Sequence, residues 1–356
     1  MPHRDPAVGR FGRVPVVAIT GHLGAGKTSL LNHLLRTPGA RIGVVVNDFG
    51  ALNVDAALVT GQVDDAAGIS GGCLCCLPDA GGFDDALERL AHPRLRLDVI
   101  LVEASGVADP AALARVIRFS GVERVRPGGL IDVIDAVEHF RTIDTRPEPP
   151  ARYGAATLVV IGKSDLLPRA ERTATLQRIA ERVRERNPHA QLALSRQGRI
   201  DPALVFDAVR EDDPDDELPI AALVREEAER AHHGRPSEHP DHEHAHAASV
   251  ALAGSVDPTA LIDLLEDPPA GAYRLKGRVR VRGPRAERGY LVNLVGRTVH
   301  IAPLPDPPAV GELVAIGLHL DAVDAQRRME AVSAVPVERP DAAGLRRLQR
   351  YRRLSD

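Results

Sequence analysis

Short runs rich in Val, Ile and Leu recur along the N-terminal part of the chain, at residues 14–20, 42–46, 99–102, 130–134, 158–161 and 192–194. They are continuous rather than alternating, and a strand apolar on both sides is covered on both sides. Between most of them apolar positions return at helical spacing, as in 28–35, 111–119 and 169–186. This pattern predicts an α/β domain over 14–210, built on a mostly parallel sheet with helices on both faces.

The pattern then breaks. Residues 211–217 read EDDPDDE, and 231–248 hold six of the chain's fourteen histidines among Pro, Glu and Asp. Such a composition predicts a solvated linker or loop over 211–248. From Ser249 strand-like segments return at SVALAG, 273–281, 289–294, 298–302 and 313–318, with a helix opened by Asp257 and Pro258 and another over about 322–332. Strands following strands predict a small α+β domain over 249–335. Residues 1–13 read as a mobile tail and 336–356 as an Arg-rich tail, whose five arginines between 345 and 353 suggest a solvated or fraying helix.

Composition narrows the function classes. The 356 residues carry a formal net charge of −4, six Phe, four Tyr and no Trp, which disfavours a nucleic-acid binder built on basic stacking surfaces. No apolar stretch approaches the length of a membrane span and no leader-like apolar segment opens the chain. The three cysteines, Cys73, Cys75 and Cys76, are too close together to staple distant segments. Clustered thiols suit a reducing compartment, so a cytoplasmic protein with no membrane partner is expected.

Three segments carry chemistry. Gly21-His22-Leu23-Gly24-Ala25-Gly26-Lys27-Thr28 matches GxxxxGK[ST] and lies between an expected strand and the helix continuing from Ser29. Its glycines turn backbone N–H groups toward phosphates, the helix dipole adds to them, Lys27 reaches the β/γ-phosphates and Thr28 binds Mg²⁺. Glu103, at the end of the 99–102 strand, supplies the carboxylate such a site needs near Mg²⁺, with Gly106 at the position where backbone senses the γ-phosphate. Gly162-Lys163-Ser164-Asp165 resembles the guanine-reading Asn-Lys-x-Asp motif with glycine in the asparagine slot; Asp165 accepts from two guanine nitrogens and the Lys163 stem covers the base. Loss of the asparagine would relax base selectivity, but GTP remains the expected nucleotide. Lys27, Thr28 and Glu103 are the candidate catalytic residues.

Gly71-Gly72-Cys73-Leu74-Cys75-Cys76 brings two thiolates to one side of an extended backbone, and the third only if the chain turns. Zinc prefers four ligands, which leaves a place for water, a carboxylate such as Asp48, a histidine or a client protein. An incomplete shell suits a metal carrier; inert buried thiols and a redox centre are the competing readings. His232, His233, His239, His242, His244 and His246 would capture borderline metals, or simply form a solvated polar run.

Together these segments resemble the CobW-like family of metal-handling GTPases. The resemblance rests on GHLGAGKTSLLNHLL, VVVNDFGALNVD, GGCLCC, LVEASGVADP and GKSDLLP, and in the second domain on YRLKGRVRV and ELVAIGLHLD, and so covers residues 14–335. It implies a P-loop GTPase domain, a CobW-type C-terminal domain and slow GTP hydrolysis. It also implies a transition metal, Zn²⁺ or Co²⁺, held by the CxCC thiolates and delivered to a client metalloprotein. Departures are Gly162 for asparagine, Asp48 for the usual glutamate and His22 for a common phenylalanine; Lys276 is marked by the resemblance alone, for domain or client contact. The rival readings are a metal buffer or sensor with a structural nucleotide, and a P-loop ATP-dependent small-molecule kinase.

Overall fold

A computed structural model describes residues 13–37, 40–46, 66–68, 81–205, 243–284, 286–333 and 340–355. The N-terminal sheet has seven strands: β1 (Val14–Gly21), β2 (Ile42–Val46), β3 (Ala66–Gly68), β4 (Val99–Glu103), β5 (Val125–Asp135), β6 (Leu158–Gly162) and β7 (Gln191–Leu194). They lie in the order β3-β2-β4-β1-β5-β6-β7, and every pairing is parallel. The expected α/β architecture is therefore borne out, with β1 and its glycine loop central.

Helices α1 (Lys27–Leu35), α2 (Gly81–Leu90), α3 (Pro110–Arg118) and α4 (Arg169–Arg186) cover this sheet. The continuous apolar strands divide residue by residue between its two faces. Val16 and Ala18 join Phe83 of α2, Leu113 and Ile117 of α3 and Ile179 and Val183 of α4. Val17 and Ile19 join Leu30, Leu31 and Leu34 of α1. The sequence pattern missed α2, and β5 begins five residues before the expected run because Arg126, Pro127, Gly128 and Gly129 dilute its apolar signal.

The C-terminal sheet comprises β8 (His246–Leu252), β9 (Arg274–Arg282), β10 (Glu287–Val295), β11 (Thr298–Pro303) and β12 (Gly311–Gly317), ordered β11-β10-β9-β12-β8 and antiparallel throughout. One face packs on α5 (Pro258–Glu266), α6 (Ala322–Glu330) and α7 (Ala342–Ser355). Asp257 caps α5 as expected, its carboxylate accepting from the N–H groups of Thr259 and Ala260.

Two expectations change here. Helix α7 is not a solvated or fraying tail: Leu348 is 1% exposed in the domain core, Arg347 bridges Asp263 and Glu266 of α5 at 2.7 Å each, and Ser355 Oγ accepts from the Ile301 N–H. Its arginine count concealed the apolar stripe. Strand β8 starts at His246, three residues before the expected Ser249, so that histidine belongs to a sheet.

The two sheets meet through apolar and polar contacts. Tyr273, Val295 and Leu318 enter the cluster formed by α1 and the parallel sheet. The Tyr273 hydroxyl lies 3.0 Å from Thr157 Oγ1, Arg126 donates to Asn293 Oδ1, and Arg274 donates to the carbonyls of Leu204 and Val205.

Candidate nucleotide site

The loop from Gly21 to Gly26 leaves β1 at the carboxyl end of the sheet and enters α1 at Lys27. Gly24 (φ 77°) and Gly26 (φ 105°) adopt left-handed backbone, and an added Cβ at either would meet nothing within 4 Å. Conformation, not crowding, selects glycine there. Ala25 N–H closes a turn onto the His22 carbonyl, leaving Leu23 largely exposed at the tip. Lys27 is buried, and Nζ donates to the carbonyls of Gly21 (3.1 Å) and His22 (3.3 Å), which aims the ammonium along the inside of the loop. A charged phosphate oxygen is a stronger acceptor than either carbonyl.

Thr28, in the first turn of α1, donates from Oγ1 to Glu103 Oε1 at 2.9 Å. Glu103 ends β4 and is 4% exposed. A hydroxyl and a carboxylate converging beside a phosphate-binding loop are hard oxygen donors, and this donor set fits Mg²⁺. Gly106 packs directly on the loop: a Cβ there would stand 2.6 Å from Leu23 N.

The second half of the site lies past β6 and β7. Lys163 (φ 58°) ion-pairs through Nζ with Asp135 Oδ2 at 2.7 Å and lines a cleft of about 210 Å³. That cleft is lined by Ala25, Gly26 and Ser29 on one side and by Gly162, Lys163 and Asp165 on the other. The Asp165 carbonyl is held by Arg172. Asp135, Ser195 and Gln197 were missed in the sequence. Each sits at or just past the carboxyl end of an apolar strand, the place where ligands bind open α/β sheets, and that position was the available signal.

A second cleft adjoins the loop through His22 and Leu23 and includes Asp132, Glu138, His139 and Arg152. Buried Asp132 accepts from Thr20 Oγ1 (2.9 Å) and ion-pairs with Arg152 (2.7 Å). His139 Nε2 stands 2.5 Å from the Tyr153 hydroxyl. Burial lowers the His139 pKa to about 4 and raises that of Tyr153, so the bond joins a neutral imidazole and a neutral phenol.

The metal candidates divide differently. Cys73, Cys75, Cys76, Asp48, His232, His233, His239 and His242 lie outside the described residues. His244 Nδ1 is 3.8 Å from Asp201 Oδ2, while His246 is exposed at the start of β8. Among the described residues no group of three or more His, Cys, Asp or Glu side chains is placed to hold a metal ion, and no helix is long and apolar enough to cross a membrane. Glu243 ties this end of the histidine-rich segment to β7 through Leu194 N–H (3.4 Å), and Ala245 N–H ties it to the following loop through Asp201 Oδ2 (2.8 Å).

A glycine-rich loop between a buried central strand and a helix, with lysine, hydroxyl and carboxylate at its mouth, defines a P-loop nucleoside-triphosphate-binding protein. Residues 15–192 match the family described as CobW/HypB/UreG, nucleotide-binding domain, and residues 245–333 match the cobalamin synthesis protein cobW C-terminal domain. The chain belongs to the CobW family of P-loop GTPases. It is 29% identical over 304 residues to the zinc chaperone CobW of Sinorhizobium sp, across 76% of this chain and 83% of that protein. It is 30% identical over 201 residues to the zinc chaperone YjiA of Escherichia coli, across 54% of this chain and 61% of that protein. The zinc-regulated GTPase metalloprotein activator 1 of Schizosaccharomyces pombe is 29% identical over 205 residues, 53% of this chain and 47% of that protein.

Proposed function

We propose that this GTPase is a cytoplasmic metallochaperone: it binds Mg²⁺–GTP at the P-loop, hydrolyses it slowly, and couples that cycle to loading and release of a transition metal for a client metalloprotein. Zinc is the first candidate for the cargo, supported by the names of the relatives, with cobalt next. The observation that carries the nucleotide half is the convergence of Thr28 and Glu103 at the mouth of the glycine loop. The cargo half rests on Cys73, Cys75 and Cys76, three thiolates that leave a coordination place open.

Each residue has a distinct task. The loop's N–H groups and the start of α1 bind phosphate, and Lys27 exchanges its two carbonyl partners for phosphate oxygens. Thr28 and Glu103 would hold Mg²⁺, directly and through water. The chemistry supplied by Mg²⁺ held there would be positive charge set against that developing on the phosphates. Asp165 selects guanine by accepting from N1–H and the 2-amino group, and Asp135 holds the Lys163 stem in place to cover the base. Among the described residues the carboxylates nearest the loop are engaged, Glu103 by Thr28, Asp132 by Arg152 and Asp135 by Lys163. Water positioning without a side-chain general base among these residues is compatible with slow turnover, which the family resemblance implies.

Coupling is the testable core. Anaerobic titration of Zn²⁺, Co²⁺ and Ni²⁺ with GTP, GDP or no nucleotide, repeated on Cys73→Ser, should give a metal affinity that changes with the nucleotide and collapses in the variant. Equal metal affinity in all three nucleotide states would sink the chaperone cycle and leave a metal buffer.

A further inference from the structure

Ser195 is 1% exposed, lines the nucleotide cleft, and its Oγ has no hydrogen-bond partner among the described residues. A buried hydroxyl in that condition costs stability, so its retention calls for a partner supplied by something that enters the cleft. Its position is closely fixed. Ser195 N–H donates to the Ile161 carbonyl at 2.9 Å, and Arg199 N–H closes the next turn onto Arg196. A Cβ on Gly198 would stand 2.7 Å from the Ser29 carbonyl carbon, so the loop after β7 rests against the start of α1.

Register places Ser195 beside Gly162. Ile161 pairs with Leu194 in the parallel β6–β7 ladder, so Gly162 and Ser195 are the next position on each strand. Val160 and Ala193, two residues back, both face the α1 side of the sheet, and side chains at 162 and 195 return to that side. At 162 no side chain stands there. An added Cβ would meet only ordinary contacts, the Ile134 carbonyl at 3.6 Å and the Ala25 carbonyl at 3.7 Å, so packing does not demand the glycine.

Guanine carries donors at N1 and the 2-amino group and acceptors at O6, beside N1, and at N7 on the flank away from both donors. The Asp165 carboxylate can only accept and therefore takes the donor edge. The acceptor edge is left to whatever donor the cleft offers beside Gly162. We propose that the Ser195 hydroxyl donates to N7 of the purine, from β7, in place of a side-chain amide on β6. This assignment rests on the nucleotide site proposed above and adds a base-contacting residue to it.

The test is competition binding of GTP and 7-deaza-GTP, which lacks only the N7 acceptor, to the full chain, to Ser195→Ala and to Gly162→Asn/Ser195→Ala. The intact protein should bind 7-deaza-GTP about fivefold to tenfold more weakly than GTP, the worth of one neutral hydrogen bond. Ser195→Ala should bind GTP more weakly by that same factor and no longer distinguish the two nucleotides. The amide in the double variant should restore part of the discrimination. A Ser195→Ala protein that binds GTP normally, or that still rejects 7-deaza-GTP as the parent does, overturns the assignment. ATP and 7-deaza-ATP are run in parallel because adenine shares N7. Preference for ATP would refute guanine reading by Asp165, and the adenine pair would then decide the role of Ser195.

Discussion

Thr28 Oγ1 donates to Glu103 Oε1 over 2.9 Å, joining the first turn of α1 to the last residue of β4. The bond unites two segments that lie 75 residues apart in the chain. Thr28→Ala and Glu103→Gln should each lower Mg²⁺-dependent GTP hydrolysis by about hundredfold or more. Binding of a fluorescent GTP analogue in excess chelator should change little. An equal loss of nucleotide affinity without Mg²⁺ would show that the pair supports the loop rather than the metal.

Gly106 lies so close to Leu23 that a single methyl group must move the glycine loop, because the clash at 2.6 Å is with backbone. Gly106→Ala should weaken GTP binding by about tenfold, since misplacing a binding loop by even a fraction of an ångström forfeits hydrogen bonds to phosphate. Equilibrium titration measures it, with circular dichroism to check that the fold is retained.

Asp165 should decide the base. Replacing its carboxylate by an amide in Asp165→Asn puts a donor where guanine presents its 2-amino group and xanthine a carbonyl. The variant should lose about tenfold to hundredfold in GTP affinity and gain for XTP. Competition between the two nucleotides reads the switch directly, and unchanged preference would remove Asp165 from the base site.

His139 makes stability depend on pH. Its folded pKa of about 4 lies below the ordinary value of 6.5, because burial disfavours the imidazolium. Between those values the unfolded chain binds a proton that the native chain refuses. Stability from this group is therefore complete above pH 6.5 and is lost as pH falls toward 4, by about 3 kcal/mol at most. His300, lowered to about 3 chiefly by burial and then by Arg126 and Arg13, adds to the same acid loss. Urea midpoints at pH 7 and pH 4.5 for the parent and His139→Gln isolate the His139 share: the parent should lose more, and parallel losses would contradict it.

Leu348 is the apolar anchor of α7. Leu348→Ala should cost about 2–4 kcal/mol, the usual range for a truncated core leucine, where a solvated tail would cost almost nothing. Denaturant midpoints distinguish the two.

Sequence reading recovered most of this architecture for a physical reason. Strands buried on both faces, such as β1, β4 and β6, write themselves as unbroken apolar runs, and the glycine loop requires a fixed pattern of small and charged residues. What stayed illegible was contact between distant residues. Nothing local marks Asp135 as the partner of Lys163, because strand order makes that pair, whereas the motifs already brought Thr28 and Glu103 to one metal. Ser195 was overlooked because one hydroxyl after a three-residue apolar run is common, and only its burial and its register with Gly162 distinguish it. Helix α7 was misjudged because its arginines were weighed as charge, whereas Arg347 works as a tether to α5.

Tyr273, Val295 and Leu318 belong by connectivity to the antiparallel sheet and by packing to the α1 side of the parallel one. Apolar side chains shared in this way make two architectural halves a single cooperative unit, since neither can melt without exposing the other's interior. A calorimetric trace of the whole chain should show one transition, and a saturating nucleotide at the glycine loop should raise the melting of the distant antiparallel sheet along with its own.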